Sequence, residues 1–444
     1  MNNKGELYRK ILYIFILISP FVDMLTSIGV RFGFGGMTVG MLVRFAFLAA
    51  VVAYVLFLYR GKQMWLLRWV VIATILYGVA YLGTTVWVNG MGVLVENAKI
   101  FLKVYSFVYV LLGFYALYLE YGILVSDKLL TTVFCVYTAS IFLSAVTNTS
   151  FYTYVHEQVG YCGWFYAGNE IGAIVAILAG IAMLYGFTYP KYVWVGILGL
   201  VAFSSTYIGT KVPFLAIAII AVLLLGYGLL KLLLKKTKNS TFKITKLFAL
   251  LLCIVVLYQV NSPIQQNADI VEDRYENKVE DVLNEDATTD IGDRLYAVAN
   301  WLLTGRLDAN KVVVDRYADG NWAEKLFGIG YIVQIDGKEH IKAVEMDFIA
   351  IFLRHGIVGF AIFMTPLVYA MGLCIIKLFK RIKDFWNQEP ALVYLYAVLI
   401  GLACAFLAGH VLVAPAVSIY IAICLVKCYA YLTEEGTPAL EEGA

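Results

Sequence analysis

Residues 212–234 read VPFLAIAIIAVLLLGYGLLKLLL, a run of 23 positions with a single charge, Lys231. The hydrocarbon core of a bilayer is about 30 Å thick, and a helix needs roughly 20 apolar residues to cross it. The run therefore reads as a membrane span, and about twelve stretches of the chain meet the same standard. The expected spans are 7–28, 37–58, 63–86, 91–119, 128–146, 169–187, 192–207, 212–234, 246–260, 348–376, 391–411 and 414–432. A hydrophobic share of 61% and a mean hydropathy of +0.80 lie outside the range of a soluble domain. The expected fold is thus an all-α polytopic integral membrane protein with about 12 transmembrane helices and one large extracytoplasmic loop. The span 7–28 carries Asp23, lacks a small-residue cleavage site and precedes many others, so it is expected to stay in the membrane rather than leave as a signal peptide.

Orientation follows from lysine and arginine bias. Lys4, Arg9 and Lys10 precede the first span, and Arg60, Lys62 and Arg68 follow the second. Lys231, Lys235, Lys236, Lys238, Lys243 and Lys246 follow the eighth, and Lys377, Lys380, Arg381 and Lys383 follow the tenth. All these clusters share one side if both termini are cytoplasmic, as the positive-inside bias requires. The expected division is a block of transmembrane helices at 1–260, an extracytoplasmic helical loop at 261–347, further transmembrane helices at 348–432 and a cytoplasmic tail at 433–444.

The stretch 261–347 is the long polar region of the chain. Over 261–345 it holds 17 acidic against 9 basic residues, a net charge of −8. Such a balance excludes a nucleic-acid-binding face and leaves bilayer contact to the apolar spans. Its arginines Arg294, Arg306 and Arg316 read as local pairing sites, and guanidinium forks suit a phosphate-bearing lipid at the membrane surface. Val271, Tyr275, Val279 and Val282 suggest an amphipathic helix over 270–286, and Asp290 or Asp293 opens a second that ends at Gly305. A third helix is expected at 312–317, followed by turns at Gly328, Gly330 and Asp336-Gly337. Seven cysteines show no ligand-like pairing, so neither a disulfide frame nor a metal site is suggested, and no cofactor is implied. Cys162 is the one expected to face outside.

An ionised group inside a bilayer needs a partner or a water-filled cavity. Asp23 and Arg44 fall at similar depth on the first two spans, which points to a structural ion pair, with substrate contact as the alternative. Glu96, Lys99 and Lys103 recur at helical spacing, and the first two can pair, a structural role to which a cavity lining that contacts headgroup or sugar is the alternative. Lys211 opens the eighth span, suited either to snorkelling or to phosphate binding. Asn169 and Glu170 open the sixth span as caps or as site residues, and His410 is a polar group in apolar company.

Several short segments then carry a resemblance. They are SPFVDMLTS (19–27) with Arg44, GWFYAGNEIG (163–172), YIGTK (207–211), TGR (304–306), LFGIGY (326–331), EMDF (345–348) with GIVG (356–359), and AGHV (408–411). In this order, with a large polar loop late in the chain, they resemble the O-antigen polymerase and O-antigen ligase superfamily, in particular Gram-positive capsule or exopolysaccharide repeat-unit polymerases. The resemblance implies a metal-independent glycosyltransferase that uses undecaprenyl-diphosphate-linked oligosaccharides at the outer face of the cell membrane, beside a flippase and a chain-length regulator of the same pathway. It also implies that Lys211 and Arg306 bind the diphosphate. The family often has arginine at the first of these positions, and its ligase branch has histidine where this chain reads Glu345-Met346-Asp347.

The chemistry needs charge stabilisation on the leaving diphosphate and a base for the attacking hydroxyl. Arg306 and Lys211, assisted by Arg294 or Arg316, meet the first need. For the base Glu345 is favoured over Asp347, the alternative being that both cap a helix or pair with Lys342 or Arg354. A ligase acting on another acceptor is the nearest rival. A lipid-linked oligosaccharide flippase is the rival from another class, and the chain shows none of the paired broken helices expected of one.

Overall fold

The computed structural model describes residues 3–33, 38–187, 192–234, 240–260, 262–270, 300, 306–335, 338–340, 344 and 346–433. Its first nine helices are α1 (Asn3–Arg31), α2 (Val39–Ala53, extended by a π turn over Tyr54–Leu58), α3 (Met64–Asn89), α4 (Leu94–Tyr121), α5 (Asp127–Val146), α6 (Gly168–Gly186), α7 (Val193–Tyr207), α8 (Lys211–Leu233) and α9 (Ser240–Gln259). The polar region contributes α10 (Arg306–Ala318) and α11 (Trp322–Phe327), and the chain ends with α12 (Asp347–Lys380), α13 (Glu389–Leu407) and α14 (Pro415–Thr433). Two small antiparallel hairpins interrupt the helices: β1 (Phe151–Tyr154) with β2 (Val159–Gly163), and β3 (Val333–Ile335) with β4 (Lys338–His340).

The protein is a mostly helical polytopic membrane protein. Among the described residues ten helices are long and apolar enough to cross a membrane. An eleventh is reached if α9 and the short helix Pro263–Ile270, bent by 54° at the break between them, form one span. The count falls below the expected twelve for a physical reason. Helix α7 is apolar but has only 15 residues, a rise of roughly 22 Å at 1.5 Å per residue. The helices at the centre are α4, α6 and α14, which are buried on most of their faces. Small residues let neighbours approach α6 closely: a methyl group on Gly180 would sit 3.2 Å from Ile220 and 3.3 Å from Val393.

Side-chain contacts sort the helix ends into two groups. At one end Lys427 bonds the Val125 carbonyl at 2.6 Å and pairs with Asp127, Lys243 pairs with Glu389 at 3.0 Å, and Lys231 reaches the Trp386 carbonyl at 2.8 Å. Arg68 and Arg381 bond backbone carbonyls there too. This basic end gathers lysines and arginines that the sequence placed on one side. At the other, the site end, Arg31 lies 3.5 Å over the Phe151 ring, and the Thr153 hydroxyl donates to the Ile208 carbonyl at 2.7 Å.

Helix α12 is broken at Gly356, whose φ of 66° and ψ of −176° lie outside the helical region. Buried carbonyls around such a break need donors. Ile329 N–H donates to Leu353 at 3.4 Å, Gly330 N–H to Arg354 at 3.1 Å, and the Tyr77 hydroxyl to His355 at 2.7 Å. The backbones touch here: a methyl group on Gly328 would lie 2.1 Å from the Arg354 carbonyl oxygen, and one on Gly356 would lie 2.6 Å from the Leu326 carbonyl. The Arg354 guanidinium returns to the Gly330 carbonyl at 2.9 Å, and Asn97 receives Tyr331 N–H at 2.8 Å. The segment 326–331 is thereby locked to α3, α4 and α12.

Candidate functional site

The charged groups at the site end begin with Asp23 and Arg44, which form an ion pair between α1 and α2 with most of both side chains buried. The second oxygen of Asp23 takes the Tyr137 hydroxyl of α5 at 2.6 Å, and Tyr137 in turn receives the Tyr420 hydroxyl of α14 at 3.5 Å. Both carboxylate oxygens are thus engaged. Glu170, half-buried in the first turn of α6, feels the charges of Asp23, His410, Arg44 and Lys103. Asn169 beside it is exposed. Glu96 and Lys99 pair within α4 at 2.6 Å, one turn from Lys103.

A turn that links α13 to α14 lies against this cluster. Gly409 and His410 have positive φ, 72° and 58°, a conformation in which histidine is among the more tolerated residues. Their turn points three successive N–H groups into one concavity, the kind of backbone nest that binds an anion. The anion is Asp347. Its carboxylate accepts from His410 at 2.6 Å, Val411 at 2.8 Å and Leu412 at 2.6 Å. Asp347 thus anchors this turn, and the expected cap on its own helix and the expected pairing with Arg354 are not what it forms. Its Oδ1 takes one amide and its Oδ2 takes two, and Arg354 is engaged with carbonyls of 330 and 331.

Arg306 opens α10 and donates to the Leu407 carbonyl at 3.1 Å, at the end of α13 beside the same turn. Its charge also reaches Tyr154 on β1. Burial pushes the Tyr154 phenol up, while the Asn267 amide and the Arg306 charge pull it back. Asn267 connects this group to the start of α8, donating to the Gly209 carbonyl at 3.0 Å and to the Tyr154 hydroxyl at 3.3 Å. Two residues on, Lys211 is exposed at the α8 terminus. Arg306 and Lys211 thus stand on elements joined by Tyr154 and Asn267.

Arg316 is not part of this group. It lies ten positions further along α10, about 15 Å by helical rise, and pairs with Glu324, which also caps α11 through Asn321. Arg294 and Glu345 lie outside the described residues, as do the helices expected over most of 270–304. Cys162, in the β1–β2 hairpin, is buried, its thiol donating to the Phe165 carbonyl at 3.2 Å.

A family model for O-antigen ligase like membrane proteins matches residues 5–435. The chain belongs to that family. No curated protein matches it. For an O-antigen ligase-like membrane protein, membership implies glycosyl transfer from a lipid-linked glycan, carried out by a membrane-embedded chain. That chemistry has two demands, cations for the lipid phosphate and a proton acceptor for a sugar hydroxyl. In this O-antigen ligase-like chain cations and acids meet at the site end, where α6, the β1–β2 hairpin, the start of α8, α10 and the 408–412 turn converge.

Sequence reasoning named most of these residues singly and missed their grouping. Tyr137 stayed outside the candidate set, although it is a polar group on an otherwise apolar span, the one signal that marked Asp23 and Arg44.

Proposed function

We propose that this protein joins oligosaccharide repeat units carried on polyprenyl diphosphate into a surface polysaccharide, working at the outer face of the membrane. The observation that carries the proposal is the placement of Arg306 and Lys211 on elements tied together through Tyr154, Asn267 and the Gly209 carbonyl, beside a cluster of half-buried charges. Cleavage of the bond between the anomeric carbon and the diphosphate leaves its electron pair on phosphate oxygen. A guanidinium fork and an ammonium group that are already oriented stabilise that charge as it develops. The basic end supports the orientation, since lysine and arginine clusters favour the cytoplasmic side and the site end then faces outward.

The test is the glycan that accumulates on polyprenyl diphosphate in cells carrying Arg306→Ala at normal membrane abundance. Single repeats support a polymerase. Finished polymers left on the lipid point to a ligase, and material trapped on the cytoplasmic leaflet points to a flippase. Unchanged chain lengths remove Arg306 from the site.

A further inference from the structure

Toward the basic end, α3, α4, α12 and α14 wall an apolar cavity of about 140 Å³. Leu67, Leu112 and Leu425 on its floor are buried, while Leu66 and Tyr369 on its rim are exposed, so the cavity opens on the side of the bundle. The α12 wall shows why the space is there. Pro366, Tyr369, Ala370 and Leu373 follow at i, i+3, i+4 and i+7, which puts all four on one face of the helix. The short proline and alanine leave a gap that Leu112 of α4 does not close.

An apolar cavity of roughly this size stays dry and takes up hydrocarbon, because a chain of methylene groups restores the dispersion contacts its walls lack. In a bilayer that chain belongs to a lipid, and the groups beneath the cavity select which one. Leu373 is followed one helical turn later by Lys377 and two turns later by Arg381, at i+4 and i+8. The Arg381 guanidinium crosses to α14 and donates to the Tyr431 carbonyl at 3.4 Å, two residues past Tyr429 of the cavity wall. Lys377 is half-buried, and among the described residues its ammonium forms no hydrogen bond or ion pair. From 377 to 384 the chain carries four basic residues and one acid. Tyr369 precedes Arg381 by 12 positions, a rise of about 18 Å, and half of the hydrocarbon core is about 15 Å. The cations therefore stand at headgroup depth when the cavity stands at acyl-chain depth in the same leaflet.

We propose that this cavity and the cations beneath it bind an anionic phospholipid of the leaflet at the basic end, with one acyl chain in the cavity and the phosphate at Arg381 and Lys377. The guanidinium meets phosphate oxygens with N–H groups that the Tyr431 carbonyl leaves over, and the ammonium adds a point charge. Basic pockets between transmembrane helices suit such headgroups. The bound chain supplies contacts to four helices at once, so the lipid is a structural ligand of the bundle. This site is independent of the glycosyl-transfer reading, since no step of sugar transfer passes through it. The other hydrocarbon at hand, the polyprenyl tail of a lipid-linked glycan, carries its charge to the opposite end on that reading and makes no use of Lys377 and Arg381.

The experiment uses the full chain in phosphatidylcholine nanodiscs doped with phosphatidylglycerol that carries a photoreactive diazirine in one acyl chain. After irradiation the adducts are mapped by mass spectrometry. They are expected on Leu425 and Val426, which at 1% and 4% exposure lie out of reach of lipid that merely surrounds the bundle. The same diazirine chain on a phosphatidylcholine head should give about fivefold fewer of these adducts, and Lys377→Gln should lower the phosphatidylglycerol adducts by a similar factor, the scale of one cation near an anionic head. Ala370→Leu fills the cavity and should remove the adducts on Leu425 and Val426 while those on exposed Val368 persist. Adducts confined to exposed positions such as Val368 overturn the site. Equal labelling by the two heads, or equal labelling of the wild type and Lys377→Gln, overturns the anionic headgroup. Loss of the Leu425 and Val426 adducts on adding equimolar C55 polyprenyl phosphate assigns the cavity to a prenyl tail and overturns the choice of occupant. If Ala370→Leu does not fold, the adduct positions in the wild type and the comparison of heads decide, since neither needs a variant.

Discussion

The Asp347 carboxylate accepts the His410 backbone amide at 2.6 Å across 63 positions of sequence. Together with the amides of Val411 and Leu412, this contact fixes the turn that stands beside Arg306 and Glu170. Hydrogen bonds to a charged acceptor are worth about 1.5–3 kcal/mol each. Asp347→Asn keeps one acceptor oxygen and turns an NH2 group toward amide donors, so it is expected to lower the unfolding temperature in detergent by several degrees. Activity should return when assays are run cold. A variant that melts like the wild type and still makes no polymer would put Asp347 in the chemistry instead.

Arg306 and Lys211 should respond differently to exchange. A lysine at 306 offers a point charge where a planar fork reaches the Leu407 carbonyl and, on the proposed reading, also holds the diphosphate. Arg306→Lys is expected to lose roughly tenfold to a hundredfold in turnover, the scale of one charge-assisted contact. Lys211→Arg should retain most activity because the α8 terminus is exposed and the added fork has room. Chain-length profiles of extracted polysaccharide measure both.

Asp23 and Arg44 form a mostly buried pair, and removing one member of such a pair costs roughly 3–5 kcal/mol because the other is stranded. Asp23→Asn and Arg44→Met should each reduce folded protein in the membrane more than the two together. Equal or additive losses in a double-mutant cycle would show that the two charges act separately.

Gly356 cannot carry a side chain without moving backbone. Its φ is 66°, and an added methyl group would sit 2.6 Å from the Gly328 nitrogen and the Leu326 carbonyl. Gly356→Ala and Gly328→Ala are each expected to prevent stable folding, seen as loss of a monodisperse peak on size exclusion. Gly372→Ala in the same helix, where nothing lies within 4 Å, should leave the peak unchanged.

Sidedness is open to labelling. Burial pushes the Cys162 thiol up to about 11, with the Arg31 charge opposing the shift. At pH 8, well below that value, the thiol stays protonated and unreactive. An impermeant maleimide on intact cells should therefore miss Cys162 and label Tyr166→Cys, a position 61% exposed beside the hairpin. Lys383→Cys should react only after permeabilisation.

The bilayer made much of the fold legible, because an apolar run longer than the hydrocarbon core has few alternatives. The Asp23–Arg44 pair could be found by counting depth along two neighbouring spans. Asp347 could not, since its partners are backbone amides, which every sequence has and none advertises. The β1–β2 hairpin was equally hidden: Tyr152 pairs with Tyr161 across strands of only four and five residues, too short for a clear alternation. Helix α9 stops where its span was expected to, but the short helix Pro263–Ile270 beyond it was hidden, because hydropathy does not record a change of direction of 54°.

An unbroken α12 of 34 residues would run about 51 Å, far more than the hydrocarbon thickness. Position along a helix is also an angle, about 100° per residue. The kink at Gly356 isolates the nine-residue piece that begins with Asp347, so the azimuth of that acid is set by local docking and not by the long shaft beneath it. Inserting a single residue between Asp347 and Gly356 would rotate the anchor by more than a quarter turn, and the turn that bears His410 would lose its moorings while every membrane span stayed in place.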